Sequence, residues 1–132
     1  MNANLEEILG GLITAQLQTK DFHWNLRGRE FLYLHPMLDE LYSDLNEYSD
    51  TLAERARAIG QHVTGSVEYS YTSEPIRFDD AVDELSSHLN TISVHIKNAL
   101  GSYDGDLATQ DVLIEIQRGL DKWVWMFNES LS

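Results

Sequence analysis

Apolar residues recur every three or four positions along four stretches of the chain, and this spacing predicts four amphipathic helices. The predicted helices cover residues 5–26, 30–61, 79–100 and 106–128. Their apolar positions are Leu5, Ile8, Leu9, Leu12, Ile13 and Leu17; Leu34, Leu38, Leu41, Leu45, Leu52, Ala56 and Ile59; Val82, Leu85, Leu89, Ile92, Ile96 and Leu100; and Leu107, Val112, Ile116, Leu120, Val124 and Phe127. Each stripe can bury one face of its helix against the others.

Polar residues and one proline set the expected helix ends. Asn2 or Asn4 is suited to cap the first helix and Asp79 the third, because short polar side chains accept hydrogen bonds from the free amides of a first turn. Proline fits only the first turn of a helix. Pro36 therefore leaves open whether the second helix begins at residue 30 or nearer residues 34–35.

The segment between the second and third predicted helices, residues 62–78, is polar, aromatic and rich in turn-forming residues. Alternation at Val67, Tyr69 and Tyr71 allows a short strand there, although no second strand is predicted to pair with it. Two short connections around one long connection predict an all-α, ferritin-like four-helix bundle whose long link crosses from one end to the other. A chain of 132 residues with 42% hydrophobic content fits one compact domain, so the predicted ferritin-like bundle is expected to span residues 1–132 as a single domain.

Composition narrows the possible functions. A formal net charge of −13, with no Lys/Arg-rich segment at either end, argues against direct binding to DNA. No apolar run approaches the roughly 18 residues of a membrane span, and the first residues do not resemble a signal peptide, so a cytoplasmic location is expected. Because the chain has no cysteine, any bound metal must be held by carboxylate and imidazole groups, a set that suits iron, manganese or zinc.

The second predicted helix carries two pairs of candidate metal ligands, His35 with Asp39 and Asp50 with Glu54, each spaced to share a helix face. The midpoints of the pairs are fifteen residues apart. That spacing is roughly 22 Å of helix, so one chain cannot bring both pairs to one metal. Antiparallel packing of this helix in two copies about a twofold axis would join the pairs, twice per dimer. His23, across a short turn, is a candidate for an additional ligand at the His35 end.

Spacing alone does not establish a metal site, because acidic residues at helical spacing are usually solvated. Asp50 and Glu54 stand among Leu52, Ala53 and Ala56, which predicts that their carboxylates are buried. Unpaired buried carboxylates are costly, and a cation would remove that cost. Imidazole and carboxylate ligands with open coordination positions suit iron(II) that reacts with oxygen or peroxide.

Several motifs surround these candidate ligands. The sequence reads His-Trp-Asn-Leu-Arg-Gly at residues 23–28, Leu-His at 34–35, Met-Leu-Asp at 37–39 and Asp-Thr-Leu-Ala-Glu-Arg-Ala at 50–56. With Phe31, these motifs resemble the signature of the Dps family, the ferritin-like DNA-protection proteins of starved bacterial cells. Leu-Asp-Lys-Trp-Val-Trp at residues 120–125 is similar to that family's fourth helix. The resemblance therefore covers nearly the whole chain except the long connection.

The resemblance implies a ferroxidase centre in which His23, His35 and Asp39 come from one subunit, and Asp50 and Glu54 from its twofold partner. It also implies a hollow shell of twelve subunits built from twofold dimers. Such a shell oxidises iron(II), with hydrogen peroxide in preference to oxygen, and stores the ferric mineral inside. The cell and its DNA would be protected by removal of iron and peroxide.

Other residues have weaker assignments. Asp106, Asp111 and Glu115 resemble the carboxylates that line threefold iron pores in the family; the alternative is acids that interact favourably with the dipole at the start of a helix. Trp24, beside His23, is a candidate for a redox role. Three histidines have no partner at ligand spacing and are assigned no function, namely His62, His88 and His95. Clustered aromatic residues are expected in the core or at an interface, namely Trp123, Trp125 and Phe127.

The sequence also departs from the family pattern. The long connection is shorter than usual and shows no extra helix, no Lys/Arg-rich tail precedes the first helix, and Pro36 directly follows His35.

Two other functions compete with that of a ferroxidase. A di-iron enzyme with its site inside one bundle needs Glu-x-x-His motifs on two helices, and the sequence contains none. A non-catalytic ferritin-like shell or scaffold protein is the other alternative.

Overall fold

A computed structural model describes residues 4–131 and contains four long helices. These are α1 (Glu6–Asn25), α2 (Phe31–Ala58), α3 (Phe78–Ala99) and α4 (Leu107–Ser130), with a short 3-10 helix (Leu100–Tyr103) between α3 and α4. No strand occurs in the described part of the chain. The predicted all-α architecture, with one long connection between its second and third helices, is confirmed. None of the helices in residues 4–131 is long and apolar enough to cross a membrane.

The helix ends correct two predictions from sequence. Asn4 accepts a hydrogen bond from the Glu6 amide (2.8 Å), but the N-cap position of α1 belongs to Leu5, the residue after it. Asn2 lies outside the described residues. The prediction that Asp79 caps α3 is wrong. The helix begins one residue earlier, at Phe78, so Asp79 lies inside its first turn. The negative charge there still interacts favourably with the helix dipole.

Pro36 lies inside α2, which runs without interruption from Phe31, so the later start near residues 34–35 is wrong. Proline removes one backbone hydrogen bond, in this case to the carbonyl of Leu32. Pro36 and Leu32 are both exposed, and Leu32 is 85% accessible. The Leu32 carbonyl is therefore on the solvent side of the helix, where water can replace the donor that proline lacks.

The core is built from leucine, isoleucine and other apolar side chains on all four helices. Helix α1 packs mainly against α2, and α3 against α4. The buried polar side chains in residues 4–131 are Gln16, Thr19, Asp21, His23, Ser49, Ser86, Ser93 and Thr109. Only one of them, Asp21, is a carboxylate. The bundle interior therefore lacks the cluster of acids that a di-iron site inside one chain would need, and that competing reading is not supported.

The long connection between α2 and α3, called the crossover below, runs in an extended conformation beside α1. Every second residue from Val63 to Tyr69 is partly buried, and its neighbours are exposed. The predicted alternation is therefore present, but these residues face a helix and not a second strand. The nearest approach to strand pairing is an isolated parallel bridge between Leu26 and Ile76.

Candidate metal centre

His23, in the last turn of α1, and His35, in the second turn of α2, lie face to face. Their ring centroids are 3.7 Å apart with an interplanar angle of 10°. The Nδ1 atom of His23 is 2.6 Å from the carbonyl oxygen of His35, and the Nδ1 atom of His35 is 2.7 Å from the carbonyl oxygen of His23. The two histidines thus hold each other through reciprocal contacts across the α1–α2 turn.

These contacts fix the tautomer of both histidines. A carbonyl oxygen only accepts hydrogen bonds, so the Nδ1 atom of each neutral ring must carry the proton and donate it. The Nε2 atom of each ring then presents a lone pair. Metal-binding histidines are commonly oriented by such a hydrogen bond from the other ring nitrogen. His23 is buried, and Phe31 stacks on His35 with a centroid separation of 4.7 Å, which further limits ring rotation.

Asp39 lies one turn after His35 and completes this group. Its Oδ1 atom is 3.5 Å from the Nε2 atom of His23. The same oxygen accepts a hydrogen bond of 2.7 Å from Lys20, whose ammonium group also lies 4.8 Å from the centroid of the Tyr42 ring. The hydrogen bond from Lys20 is the main reason that the pKa of Asp39 is lowered. Lys20 was not predicted as part of this group, although it precedes His23 by three residues and therefore shares its helix face.

Asp50 and Glu54 do not join this group within the chain. Asp50 is eleven residues beyond Asp39 on α2, or about 16 Å along the helix. Both carboxylates are exposed, so the prediction that they are buried is wrong for the single chain. Their apolar neighbour Leu52 points into the bundle, and the two acids lie on another side of α2. Within residues 4–131, no three His, Asp or Glu side chains are placed to hold a metal ion.

Asp50 lies beside a groove of about 440 Å³ formed by α1, α2 and the crossover. Side chains from all three elements line it, including the partly buried Ile13, Ala53 and Val63. Beside them, Ser49 donates to Gln16 (2.6 Å). The groove thus offers apolar surface next to one of the two ligand pairs.

The candidate pore residues differ from one another. Asp106 caps α4, because its carboxylate accepts from the backbone amide (3.1 Å) and the hydroxyl (2.6 Å) of Thr109. Arg55 also donates to it, at 3.2 Å. The bonds to Thr109 are the main reason that its pKa is lowered. Asp106 therefore fits the alternative reading of an acid at a helix start, whereas Asp111 and Glu115 are exposed one turn apart on α4.

The aromatic residues are divided between core and surface. Trp123 and Phe127 are buried against each other, as expected, and Trp123 donates from its indole nitrogen to Asp44 (2.8 Å). Trp125 is 61% exposed, so its side chain is not part of the core. Trp24 is 64% exposed beside His23.

Comparisons with known proteins agree with this fold. The family model of the ferritin-like domain matches residues 2–132. The DNA protection during starvation protein of Listeria innocua is 33% identical over an alignment that covers 97% of this chain and 89% of the relative. The crystal structure of Dps from Staphylococcus aureus aligns with a TM-score of 0.85 and 29% identity, over 97% of this chain and 95% of that one.

A third similar protein is the Dps protein of Vibrio cholerae O1, which is described as a member of a broad superfamily of ferritin-like diiron-carboxylate proteins. Its structure aligns with a TM-score of 0.90 and 25% identity, over 98% of this chain and 87% of that one. The matched domain places the chain in the ferritin-like class. Within that class, the chain belongs to the Dps family.

Proposed function

We propose that this protein is a Dps-type ferroxidase and iron-storage protein whose oxidation sites are shared between two copies of the chain. His23, His35 and Asp39 of one copy bind iron(II) together with Asp50 and Glu54 of the other. Hydrogen peroxide is the preferred oxidant. The ferric product is stored as mineral in a hollow shell of twelve subunits, which protects the cell and its DNA by removing iron and peroxide.

The observation that supports this proposal most strongly is the reciprocal contact between His23 and His35. Each Nδ1 atom is used by a backbone carbonyl, so each Nε2 atom is left as a ligand, with the Asp39 carboxylate close by. Imidazole and carboxylate donors form the ligand set expected for non-haem iron. Within residues 4–131 of one chain these side chains are not placed to hold a metal ion by themselves, so the proposal requires the carboxylates of Asp50 and Glu54 from a second copy to complete the site.

The exposure of Asp50 and Glu54 supports the sharing of the site. Both carboxylates are directed away from the core of their own chain, and the groove beside Asp50 offers apolar surface to a second copy. Antiparallel packing about a twofold axis would bring them to the partner's histidines. Burial at that interface would then be compensated by the bound cation.

In the proposed reaction, electrons pass from iron(II) to hydrogen peroxide. Each iron(II) loses one electron, so two iron(II) ions reduce one hydrogen peroxide molecule. The O–O bond breaks, and two protons are taken up as two water molecules form. The carboxylates of Asp39, Asp50 and Glu54 offset the positive charge that increases on the metal during this step.

Iron oxidation itself is tested by adding iron(II) anaerobically to the purified assembly, followed by peroxide, while ferric absorbance and particle mass are recorded. We expect faster oxidation than in protein-free buffer and particles that gain mass. In parallel, oxygen replaces peroxide at equal oxidising equivalents, and a slower reaction is expected. A rate equal to that in buffer would instead favour the non-catalytic shell.

Sharing between subunits is tested by mixing two inactive variants. One carries His23→Asn and His35→Asn, and the other carries Asp50→Asn and Glu54→Gln. In a dimer that contains one chain of each kind, one site is fully intact and the other is doubly defective. Random mixing should therefore restore about a quarter of the wild-type sites. If mixed assemblies stay inactive while their composition is verified by mass, each site belongs to one chain and the proposal is wrong.

Iron uptake through a threefold pore is a separate part of the proposal. Asp111 and Glu115 remain available for it, whereas the Asp106 carboxylate already has partners in Thr109 and Arg55. A double Asp111→Asn, Glu115→Gln variant should slow iron uptake into the assembled shell and preserve the assembly. An unchanged rate of mineral growth would show that these two acids are not on the route of iron.

A further inference from the structure

The only buried carboxylate in residues 4–131 belongs to Asp21, half a turn before His23 on α1. It is 1% exposed, and its partners are hydrogen-bond donors without a formal positive charge. The Oδ2 atom accepts from the Tyr69 hydroxyl (2.7 Å) and from the Thr72 amide (2.9 Å), while Oδ1 accepts from the Asn25 side chain (2.9 Å). Tyr69 and Thr72 both belong to the crossover.

The last turn of α1 is consequently fixed from two sides. On the crossover side, Asp21 bonds to Tyr69 and Thr72, and the Asn25 carbonyl accepts from the Ile76 amide (2.9 Å). On the α2 side, the carbonyl of His23 accepts from His35. Carbonyls at the end of a helix have no partners within it and must find them elsewhere. Here the crossover and His35 each supply one.

We propose that Asp21 is a positioning residue for the metal centre, because it ties the crossover to the helix turn that carries His23. It does not touch the metal and acts only through the backbone of α1. The inference rests on the proposed role of His23 as a ligand. The two Nδ1–carbonyl contacts are at hydrogen-bonding distance with the turn in its present position, so a shift of the turn would lengthen them. The shift would also rotate the Nε2 atom of His23 away from Asp39.

The same crossover has a second attachment to α1, which provides a matched control. The Glu6 carboxylate accepts from the backbone amide (3.1 Å) and the hydroxyl (2.7 Å) of Thr64. Glu6 and Asp21 are fifteen residues apart on α1, or about 22 Å. Removing either attachment loosens the crossover, but only Asp21 is next to His23. A purely structural role predicts similar effects on metal binding from both changes, whereas a positioning role predicts an effect from Asp21 alone.

The test uses Co²⁺ as a probe, because its binding is measured by calorimetry and its visible absorption reports ligand geometry. Asp21→Asn is nearly isosteric, but an amide can accept hydrogen bonds only through its oxygen, so its NH₂ group must face one of the donors. We expect about tenfold weaker Co²⁺ binding to the assembled protein, a loss typical of disturbed support around metal ligands, and an altered absorption spectrum. Glu6→Gln should lower the unfolding temperature and leave affinity and spectrum within about twofold of wild type.

A second pair of variants covers the case in which Asp21→Asn does not assemble. Tyr69→Phe removes a single hydrogen bond to Asp21, and about threefold weaker Co²⁺ binding is expected. Its control is Tyr71→Phe, because the Tyr71 ring packs perpendicular to the Tyr69 ring but is 57% exposed and is not bonded to Asp21. Tyr71→Phe should bind Co²⁺ as wild type does.

Two results would overturn the proposal: wild-type affinity and spectrum in Asp21→Asn or Tyr69→Phe, or an equal loss of affinity in Glu6→Gln. A His23→Asn variant in the same titration distinguishes failure of the positioning role of Asp21 from failure of the proposed function. If His23→Asn binds Co²⁺ with the wild-type spectrum, His23 is not a ligand and both proposals fail. If His23→Asn alone loses binding, only the positioning role of Asp21 is wrong.

Discussion

The imidazoles of His23 and His35 each hydrogen-bond through Nδ1 to the backbone carbonyl of the other residue, at 2.6 and 2.7 Å. The two rings therefore join α1 to α2 and, at the same time, keep both Nε2 atoms available. A structural role and a ligand role are combined in the same side chains. The two roles use different nitrogen atoms, so they can be separated by substitution.

His35→Asn is expected to separate these roles. The amide nitrogen of asparagine approximates Nδ1 of histidine, so the bond to the His23 carbonyl is kept while the Nε2 ligand is lost. We expect iron oxidation at the rate of protein-free buffer, with a free energy of unfolding within about 1 kcal/mol of wild type. His35→Leu should lose the same activity and also destabilise the protein by about 1–3 kcal/mol, because the carbonyl of His23 loses its donor. Equal free energies of unfolding for His35→Asn and His35→Leu would contradict this separation of the structural role from the ligand role.

Lys20→Met should strengthen metal binding. The Lys20 ammonium group holds Asp39 at 2.7 Å and must release it when Asp39 binds a cation. Ion pairs this exposed are weak, so Zn²⁺ affinity is expected to rise by no more than about fivefold. The control is Lys97→Met, which removes the same charge from an exposed site on α3. If the control raises affinity as much, the change in net charge explains the effect and release of Asp39 does not.

Gly119→Ala should destabilise the bundle. A Cβ atom on Gly119 would overlap the phenol of Tyr48, where α4 passes close to α2. Overpacking of this kind costs about 1–3 kcal/mol, which exceeds the gain of about 1 kcal/mol in helix propensity. In a Tyr48→Ala background the same change should become stabilising, since the overlap is removed. Gly101→Ala, which meets no atom within 4 Å, should change the free energy of unfolding by less than about 0.5 kcal/mol.

His88 should make stability depend on pH. Burial lowers the pKa of His88 from its usual 6.5, and its Nδ1 atom lies 2.9 Å from the Gln18 side-chain oxygen. The unfolded chain therefore binds a proton at higher pH than the folded one. The free energy of unfolding should fall as pH decreases from about 6.5 through the lower folded pKa.

The measurement is thermal unfolding between pH 7.5 and 5 at fixed protein concentration. His88→Asn retains a donor for Gln18 without the titrating ring, so its unfolding temperature should depend less on pH than that of wild type. His62→Asn, which removes an exposed histidine of the crossover, serves as the control and should retain the wild-type slope. If the unfolding temperature of His88→Asn depends on pH as strongly as that of wild type, His88 does not cause the pH dependence of stability.

Much of the fold and half of the candidate site follow from sequence patterns. The recurrence of leucine and isoleucine predicted four helices to within a few residues, because burial of an apolar stripe depends on local spacing. The spacing of His35 and Asp39 correctly placed them on one face, near His23. Pro36 left the start of α2 open, because the sequence does not show whether water can reach the carbonyl that an internal proline leaves without a donor.

The sequence by itself determined the helices, the long connection and the chemical types of the candidate ligands, because these depend on residue spacing along one chain. Only the tertiary structure decided where the remaining contacts go. It revealed the carbonyl partners of His23 and His35, the Lys20 contact with Asp39, and the burial of Asp21 against the crossover. It also placed Asp50 and Glu54 on the exposed side of α2, contrary to their predicted burial. Such contacts join residues far apart in the chain, and they depend on helix packing that no local pattern specifies.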